Sequence, residues 1–410
     1  MPLFNLIILN DTCEMDGGSA RIALEDAAIM ARRGHRVIFF SACGKPPEPD
    51  NADGIEWISL GQNNILTERR RWLAISRGLW NFEAAAALKK MLKTLPSENT
   101  VVHLHSWSKA LSGSVVHAVR RQRVRLVCTL HDYFVACPNG GLYDYPTRTA
   151  CLLRPMSAAC ILRNCDSRSY AHKIWRVLRQ VIWRYAADIP RCFDHRIAVS
   201  DFAARKTAES LPGHFPIDVI GNLPNLLQRD LQPLPMRHEV IYAGRVSPEK
   251  GPDLYLEACA RANVPAVICG DGPMIAQLKA QWPAARFTGW LRPEVLQDRL
   301  RQALVLVVPS RCYETYGMVA AEAAAAGVAV IVPNDGAAAE SVIDGVTGLH
   351  FRGGDAADLA EKIAYLKSKP QLAYAMGEAG YARFWANYAE QRQRRAEKIE
   401  ACYNLGATAA

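Results

Sequence analysis

The sequence of 410 residues has no apolar run long enough to cross a membrane. A spanning helix needs roughly 20 apolar residues, whereas the N-terminal run Leu3–Leu9 is much shorter and has no basic leader before it. We therefore predict that Leu3–Leu9 is a buried strand. We also expect a cytoplasmic protein that is attached to the inner membrane at most peripherally. Low-complexity segments and short-period repeats are missing too.

Several common motifs are absent. The pair Gly17–Gly18 is not part of a Gly-x-Gly-x-x-Gly fingerprint, so dinucleotide binding is not indicated. There is no zinc-finger spacing and no RNA-binding signature, so nothing indicates nucleic acid as a partner. Twelve cysteines are present, but a cytosolic location argues against a disulfide framework.

Length and composition predict a globular protein of at least two domains. Half of the residues are hydrophobic and 22% are charged, so the chain can bury substantial cores. The net charge of +9 lies entirely in one half: residues 1–225 carry 29 Lys and Arg against 20 Asp and Glu, and residues 226–410 carry 20 of each. A basic half suits an anionic lipid surface or an acidic substrate.

Apolar runs alternate with helical patterns through both halves, which predicts an α/β protein with parallel sheets. The fold we expect is two doubly wound, Rossmann-like domains that face each other across a cleft, the usual ligand site. The predicted strands are Leu3–Leu9, Val37–Phe40, Val101–Leu104, Leu126–Leu130 and Arg196–Val199, then Val240–Tyr242, Ala266–Cys269, Leu304–Val308 and Ala329–Val332.

The predicted domains are residues 1–225 and 226–375. A polar, proline-containing stretch, Gln228–His238, separates them as a linker. Residues 376–410 belong to a long, charged C-terminal helix that begins near Gln371 and packs back towards the first domain.

The segment Ile241–Gly251, IYAGRVSPEKG, ends a predicted strand with one arginine and one lysine. Ligands in such sheets bind at the carboxyl ends of strands. Arg245 can fork onto two phosphate oxygens, while Lys250 supplies a point charge. The alternative is a surface turn with ordinary solvated cations.

In the segment Pro309–Gly327, a second strand end leads through a loop into an alanine-rich helix that begins near Gly317. The free backbone N–H groups of Gly317, Met318 and Val319 would form an anion site there. Glu314 and Glu322, eight residues apart, can accept hydrogen bonds from sugar and ribose hydroxyls. The alternative for Glu322 is a solvated helix residue.

Three further strand ends carry candidate residues. Gly270 and Gly272 lie in a tight GDGP turn, which either contacts a nucleotide or only shapes the backbone beside it. Gly18 precedes the first helix and lets a ligand approach the backbone. His131 follows a strand, and we favour a functional role for it over a structural one; His105 is a weaker candidate.

Four cysteines, Cys137, Cys151, Cys160 and Cys165, lie within one segment rich in Gly, Pro and Arg. Four thiolates can hold a structural zinc ion or, less favoured here, an iron–sulfur cluster. No Cys-x-x-Cys pair is present, so free thiols in an insertion at 137–165 are the alternative.

The segment Arg168–Arg191 predicts a basic amphipathic helix. Trp175, Leu178, Ile182 and Tyr185 share one face, and the arginines Arg176, Arg179 and Arg184 lie off it. The favoured explanation is a domain helix whose apolar stripe faces the core, and the alternative is contact with an anionic membrane. Arg69–Arg71 and Arg120–Arg125 are similar candidates for lipid or acceptor contact.

Together these residues resemble the retaining glycosyltransferases of family 4, which have the GT-B fold. The resemblance covers nearly the whole chain and is specific for the family rather than for a substrate. The motifs in family order are Gly17–Gly18, GHRV at 34–37, His131–Asp132, GRVSPEKG at 244–251, GDGP at 270–273, the Glu314–Glu322 spacing, Gly336 with Glu340, and DGVTG at 344–348.

The resemblance implies a role for each site residue. Arg245 and Lys250 would hold the donor diphosphate, assisted by the amides of Gly317–Val319. Glu322 would bind the ribose and Glu314 the transferred sugar. His131 would lie near the sugar, and Gly18 near the diphosphate or the acceptor. Where the family has an asparagine–glycine pair, this chain has Gly221–Asn225, which leaves the role of Asn222 open.

The implied activity is transfer of a sugar from a nucleotide-diphosphate donor to a glycan or lipid-linked acceptor, with retention of configuration. It would serve bacterial polysaccharide or cell-envelope glycan biosynthesis. No Asp-x-Asp is present, so we expect transfer to require no metal cofactor. The alternatives are a sugar-nucleotide epimerase or hydrolase of related fold, and a non-catalytic nucleotide-sugar-binding partner.

Overall fold

The computed structural model describes residues 3–15, 17–47, 54–233 and 237–404. Within these residues it contains two parallel sheets, one in each half of the chain. The first has seven strands in the order β3-β2-β1-β4-β5-β8-β9. These are β1 (Asn5–Thr12), β2 (Arg36–Cys43), β3 (Ile55–Ser59), β4 (Thr100–Leu104), β5 (Arg125–Leu130), β8 (His195–Ala198) and β9 (Asp218–Val219).

The second sheet has six strands in the order β12-β11-β10-β13-β14-β15. These are β10 (Glu239–Ala243), β11 (Ala266–Cys269), β12 (Arg286–Gly289), β13 (Ala303–Val307), β14 (Ala329–Pro333) and β15 (Gly348–Phe351). A two-stranded antiparallel hairpin of β6 (Tyr143–Asp144) and β7 (Thr149–Ala150) lies in the cysteine-containing insertion. The α/β, doubly wound class that the sequence predicts is confirmed.

Helices cover both faces of each sheet, which explains why the central strands are apolar on both sides. The helices are α1 (Gly18–Arg32), α2 (Arg71–Leu79), α3 (Phe82–Leu92), α4 (Gly113–Arg121), α5 (Ala158–Leu162), α6 (Tyr170–Ala186), α7 (Asp201–Ser210), α8 (Pro252–Arg261), α9 (Ile275–Gln281), α10 (Pro293–Arg301), α11 (Met318–Ala325), α12 (Ala338–Ser341), α13 (Ala356–Ser368), α14 (Pro370–Trp385) and α15 (Tyr388–Asn404). In the first lobe, α3, α4 and α6 bury one face of the sheet, while α1 and α15 bury the other. In the second lobe, α8, α13 and α14 lie opposite α10, α11 and α12.

The prediction of a single C-terminal helix for residues 376–410 is wrong. Residues 370–404 form two helices, separated at Ala386 and Asn387, where Asn387 has a φ of 54°. The left-handed backbone at this asparagine ends the first helix and lets α15 turn back. Residues 405–410 of the predicted helix lie outside the described residues, as do residues 234–236 of the predicted linker.

Helix α15 joins the first lobe through buried ion pairs. Arg395 binds both carboxylate oxygens of Asp26, with 3.0 Å between Nη2 and Oδ2. Glu400 accepts hydrogen bonds from Arg33 at 2.8 and 2.6 Å, and its Oε1 lies 2.9 Å from His35 Nε2. The charged helix α15 can therefore cover an apolar face of the sheet, because its charged side chains pair with residues on α1 and in the turn between α1 and β2.

The distribution of charge on α6 differs from the prediction. Arg179 was expected to lie off the apolar face, but it is buried, and its guanidinium lies 4.6–5.1 Å from the rings of Phe134, Trp175 and Trp183. Three aromatic faces compensate part of the lost hydration of this cation. On the exposed side, Leu178 and Tyr185 remain 48% and 81% accessible.

No helix in the described part of the chain is both long enough and apolar enough to pass through a bilayer.

The contact between α15 and the first lobe generates a prediction about stability. The hydrogen bonds from Arg33 hold the pKa of Glu400 below its ordinary value of 4.5. A carboxyl with a lowered folded-state pKa stabilises the fold above its unfolded pKa, and the contribution is lost as pH falls through the folded value. We expect Glu400→Gln to lower the free energy of unfolding by about 1–3 kcal/mol at pH 7.

Denaturant unfolding of both proteins at several pH values measures this difference. It should shrink as pH falls below the ordinary value of 4.5, because Glu400 then becomes protonated in the wild type. Glu397→Gln is the matched control, since Glu397 lies on the same helix and accepts a hydrogen bond from the exposed Gln393. An equal penalty in both variants would contradict the assignment.

Candidate active site

Two loops of the second lobe are packed backbone to backbone at the carboxyl ends of their strands. Val246 N–H donates to the carbonyl of Asp271 at 2.9 Å. A Cβ on Gly270 would lie 1.9 Å from the carbonyl oxygen of Gly244, and one on Gly272 would lie 2.4 Å from that of Val246. No other residue fits at Gly270 and Gly272, which therefore shape the loop that carries Arg245.

Lys250 and Glu314 form an ion pair between two of these loops. The distance from Lys250 Nζ to Glu314 Oε1 is 2.7 Å, and Ser310 Oγ donates to the same oxygen. Burial would lower the pKa of Lys250, but the Glu314 carboxylate holds it above its ordinary value. Burial would likewise raise the pKa of Glu314, but Lys250 holds it below its ordinary value. Both groups are therefore charged at neutral pH.

Arg245 lies at the start of the same loop and is exposed. Within the described ranges it forms no ion pair, unlike Lys250, so its guanidinium is available to a ligand. Glu314 also keeps one oxygen, Oε2, without a hydrogen-bond partner in the described part of the chain. The cleft thus offers one free cation, one paired cation and one carboxylate oxygen.

The N-terminus of α11 lies against the N-terminus of α1 from the other lobe. Gly317, the residue before α11, has a φ of 86°, and a Cβ on Gly18 would lie 3.3 Å from Met318 Cγ. The N–H groups of Gly317, Met318 and Val319 have no acceptor among the residues described. Two positive helix ends therefore face one cleft, which favours an anion there.

Glu322 is bound by the opposite lobe. Arg21 Nη1 lies 2.6 Å from Glu322 Oε1, and both side chains are 12% exposed. Burial raises the pKa of Glu322, and Arg21 opposes that rise. Arg21 also contacts Glu25 and the carbonyl of Asn225, each at 2.9 Å. The carboxylate predicted to bind ribose is thus occupied by an arginine that sequence reasoning did not identify.

His131 is partly buried and lies at the end of a row with the buried His105 and His103. Its Nε2 is 3.0 Å from Nδ1 of His105, and the ring of His105 lies against that of His103. Burial lowers the pKa of His131 to about 3 and that of His103 to about 4. His131 is therefore neutral at pH 7 and can exchange hydrogen bonds with a hydroxyl but supplies no positive charge.

The loop that carries Glu314 contacts the first lobe directly. Thr315 Oγ1 donates to the carbonyl of His131 at 2.9 Å, and Ser200 Oγ donates to the carbonyl of Thr315 at 2.7 Å. The structure therefore brings His131 and Glu314 to one inter-lobe boundary. Asn222, whose role the sequence left open, is 4% exposed, and its Oδ1 has no partner in the described ranges.

A cavity of about 530 Å³ opens at the carboxyl ends of the first sheet. Asp11 forms part of its wall and accepts the backbone N–H groups of Lys109, Ala110 and Leu111 at 2.8–2.9 Å. The cavity lining is mainly polar: Asn10, Asp11, Thr12, Glu14, Ser19, Ala20, Cys43, Gly44, Lys45, Gly61, Gln62, Asn63, Asn64, Thr67, Ser106, Ser108, Lys109 and Asp132. None of the predicted site residues is in this lining, although Ser19 and Asp132 adjoin two of them. No local sequence pattern indicates this cavity, because its residues come from the ends of five separate strands.

Each of the two lobes matches a known protein family. Residues 16–223 match the family described as Glycosyltransferase Family 4. Residues 227–383 match the family described as Glycosyl transferases group 1. The first match alone covers half of the chain, and the boundary between the two falls in the segment that joins the lobes.

Individual proteins are similar over different lengths. A glycogen synthase of Mycobacterium tuberculosis is 32% identical over 398 residues, covering 91% of this chain and 87% of that protein. Lipopolysaccharide 1,2-N-acetylglucosaminetransferase of Salmonella typhimurium is 35% identical over 130 residues, only 27% of this chain and 34% of that protein. The crystal structure of Anabaena Alr3699/HepE with UDP and glucose has a TM-score of 0.65 and 17% identity, covering 97% of this chain and 100% of that one.

The structural likeness is one of fold, and the fold is GT-B. With the family match to residues 16–223 and the full-length similarity to a glycogen synthase, it assigns the chain. The protein belongs to glycosyltransferase family 4 and is a glycosyltransferase.

Proposed function

We propose that this glycosyltransferase moves a sugar from a nucleoside diphosphate donor to a hydroxyl of a glycan or lipid-linked acceptor, with retention of configuration. The observation that carries the proposal is the Lys250–Glu314 ion pair, which joins the arginine-bearing loop to the loop preceding the free amides of α11. HepE, whose structure holds UDP and glucose, has the same fold, which supports this donor class.

The proposed reaction follows from where charge develops. The bond between the anomeric carbon and the donor phosphate oxygen breaks, and negative charge grows on the departing diphosphate. Arg245, Lys250 and the amides of Gly317–Val319 stabilise that charge. Lys250 is already held by Glu314 and needs little reorganisation. The acceptor oxygen bonds to the anomeric carbon on the face that the diphosphate leaves, and its proton passes to a departing phosphate oxygen.

The sugar itself is held by neutral and acidic groups. The free Oε2 of Glu314 accepts from a sugar hydroxyl, and neutral His131 exchanges a hydrogen bond with another. Glu314 keeps its charge because Lys250 lowers its pKa, so it serves as an acceptor rather than as a proton donor. Transfer of this kind requires no metal ion.

The acceptor binds in the polar cavity of the first lobe. Its lining offers amides, hydroxyls and carboxylates, which suit an acceptor with many hydroxyl groups. Burial raises the pKa of Asp132 in its wall to about 6. Because this value is still below 7, the carboxyl is mostly ionised at neutral pH and can accept a hydrogen bond from an acceptor hydroxyl. The acceptor we infer is a bacterial polysaccharide or cell-envelope glycan precursor.

A lipid-linked acceptor would require the enzyme to reach a membrane, and one surface suits that. We define the docking face by α2, α6 and the exposed arginines Arg69–Arg71. Trp72 and Ile75 on α2 are 67% and 50% exposed, beside Ile174 and Leu178 on α6 at 43% and 48%. The two helices pack closely, because Gly78 admits Trp175. Apolar side chains beside three arginines are complementary to an anionic bilayer surface.

Replacing Lys250 with Ala tests the site. The variant loses a preorganised cation, and we expect kcat/KM to fall about 100-fold or more. A thermal-shift panel of nucleoside diphosphates and their sugars first identifies the ligand that protects the wild type, since ligand at 100 times its Kd stabilises by about 2.7 kcal/mol. Most of that protection should disappear in the variant, while the fold remains intact.

Lys279→Ala, on exposed helix α9 of the same lobe, is the matched control and should keep both activity and protection. Release of the nucleoside diphosphate with and without acceptor separates transfer from hydrolysis. Full activity of Lys250→Ala would refute the site assignment.

Replacing Arg21 and replacing Glu322 should change the affinity for the nucleoside diphosphate in opposite directions. We expect a ribose hydroxyl to bind Oε1 of Glu322, the oxygen that Arg21 now contacts, so Arg21→Met should tighten binding of the nucleoside diphosphate. The lost hydrogen bond is worth about 1 kcal/mol, which corresponds to about a 5-fold lower Kd. Glu322→Gln should weaken binding instead, and titration calorimetry measures both.

Arg77→Met serves as the control, because Arg77 pairs with Glu83 on the first lobe at 2.9 Å. Its Kd should equal that of the wild type. Weaker binding by Arg21→Met would show that Arg21 contacts the nucleotide itself, contrary to our expectation.

Vesicle sedimentation tests the docking face. Binding to vesicles of phosphatidylglycerol and phosphatidylcholine should fall about 100-fold when Arg69, Arg70 and Arg71 are all replaced by Gln, since each is worth about 1 kcal/mol at an anionic surface. The control carries Gln at Lys89, Lys90 and Lys93, three exposed lysines of the same lobe. Equal losses in the two variants, or equal binding to phosphatidylcholine alone, would exclude a localised docking face.

A further inference from the structure

The four cysteines of the insertion between β5 and α6 do not surround one point. In the described part of the chain, no three of the sulfur atoms of Cys137, Cys151, Cys160 and Cys165 lie within 4.8 Å of one another. The ammonium group of the buried Lys173 lies 3.6 Å from Cys160 Sγ and 3.3 Å from Cys165 Sγ. A cation in this position would repel a metal ion, so the zinc site that the sequence predicts is not formed in this arrangement.

A row of polar side chains leads from α15 to His131, and the proposed reaction uses only its last member. Arg395 on α15 pairs with Asp26 on α1, and their side chains are 10% and 1% exposed. Oδ2 of Asp26 lies 4.0 Å from Nε2 of His105, whose side chain is fully buried. Nδ1 of His105 lies 3.0 Å from Nε2 of His131. Side chains from four separate parts of the chain thus form one connected row that ends at His131.

The contact between the two histidines allows two arrangements of hydrogen atoms. Ring nitrogens 3.0 Å apart share one hydrogen, so either Nδ1 of His105 donates to His131 or Nε2 of His131 donates to His105. Burial lowers the pKa of both rings, so both are neutral at pH 7, and each neutral ring carries one hydrogen. The choice made by His105 therefore fixes the other nitrogen of His131, Nδ1. It is a donor in the first arrangement and an acceptor in the second.

Asp26 decides between the two arrangements. In the first, His105 turns the lone pair of Nε2 towards a carboxylate 4.0 Å away, and two negative groups repel each other strongly in a buried site. In the second, the N–H group of Nε2 faces the same carboxylate and is attracted to it. Nε2 of His105 has no hydrogen-bond partner among the described residues that would oppose this choice. Arg395 binds both oxygens of Asp26, which prevents the carboxylate from turning away.

From this geometry we propose that Asp26 and His105 are positioning residues that set the tautomer of His131. Nε2 of His131 carries the hydrogen and donates to His105, and Nδ1 of His131 is left as an unprotonated acceptor. Nδ1 has no partner in the described ranges and is not one of the fully buried unpaired atoms, so a ligand can reach it. Thr315 Oγ1 donates to the carbonyl of the same residue, which places His131 where the two lobes meet.

The tautomer adds a rule for the donor sugar, and this consequence rests on the proposed function. An acceptor at Nδ1 binds a hydroxyl that donates its hydrogen. A fluorine atom at the same carbon cannot donate, so replacing this hydroxyl with fluorine should cost as much as removing it. A donor at Nδ1 would instead keep a weak bond to the fluorine. Of the two hydrogen bonds that a neutral histidine can exchange with a hydroxyl, the structure therefore leaves one.

Nitrogen-15 NMR of the ligand-free protein tests the tautomer without any assay of transfer. With labelled histidine at neutral pH, the pair of signals that disappears in His131→Phe should show a protonated Nε2 and an unprotonated Nδ1. Asp26→Asn removes the charge that selects this tautomer, so the Nδ1 signal of His131 should shift towards that of a protonated nitrogen. Glu400→Gln is the matched control. It also removes a buried contact of α15, but with Arg33 and His35, and should leave the shift unchanged.

Donor analogues test the consequence for transfer. For each sugar hydroxyl, kcat/KM is compared between the deoxy and the deoxyfluoro nucleotide sugar. At one position both should be about 5-fold poorer than the parent donor in the wild type, and both losses should vanish in His131→Phe. In Asp26→Asn the fluoro analogue should become the better of the two, whereas Glu400→Gln should keep them equal. A loss of stability alone would not produce that difference.

A protonated Nδ1 in the wild type, or an unchanged Nδ1 signal in folded Asp26→Asn, would overturn the proposal and leave the proposed transfer untouched. If Asp26→Asn does not fold, the wild-type spectrum alone decides. A deoxyfluoro donor that the wild type uses better than the deoxy donor at that position would overturn the proposal equally. If no nucleotide sugar is a substrate, the proposed function fails, and the tautomer is still decided by the spectrum.

Discussion

The loop from Ser310 to Gly317 is held from both lobes at once, and the geometry of the cleft depends on it. On one side Glu314 pairs with Lys250, and on the other Thr315 bonds to His131 and accepts from Ser200. The loop also leads directly into α11, so the same contacts aim its free amides. A change in lobe closure would therefore change the position of the carboxylate and the amides relative to His131. Preorganisation of several groups by one loop is what stabilisation of a developing charge requires.

The two carboxylates of this cleft, Glu314 and Glu322, are already paired before any ligand binds. Lys250 holds Glu314, and Arg21 holds Glu322, across distances of 2.7 and 2.6 Å. Breaking a buried pair is expensive when one partner is left alone. A ligand that brings ribose hydroxyls can replace Arg21 at Glu322, whereas a simple anion that attracts Arg21 away from Glu322 would leave that carboxylate without a partner. The pairing thus favours a ligand that brings both anionic and hydroxyl groups.

The sequence predicted the central strands well and missed the edges. In the two parallel sheets, the four strands that were not predicted, β3, β9, β12 and β15, lie at the ends of their sheets. Edge strands are short and partly polar, so apolar runs do not reveal them. The loops with Arg245, Lys250 and Glu314 were found because strand ends and glycines mark them locally. Arg21 and Glu322 are 301 positions apart in the sequence, and no local pattern indicates that pair.

Arg179 of α6 holds the insertion and the wall of the cavity together. A basic helix was predicted to keep its arginines on the outside, yet Arg179 lies between aromatic rings, and burial lowers its pKa to about 9. Its guanidinium donates to the carbonyls of Ser108 and Pro138 at 3.1 and 3.2 Å. Ser108 lines the cavity of the first lobe, and Pro138 follows the first cysteine of the insertion. A buried cation is kept here because it satisfies carbonyls from two irregular segments that no strand or helix would otherwise join. Arg179 thereby ties the insertion to the cavity wall, and Tyr143 Oη ties it to the loop that carries Lys250 by donating to the carbonyl of Pro248 at 3.3 Å.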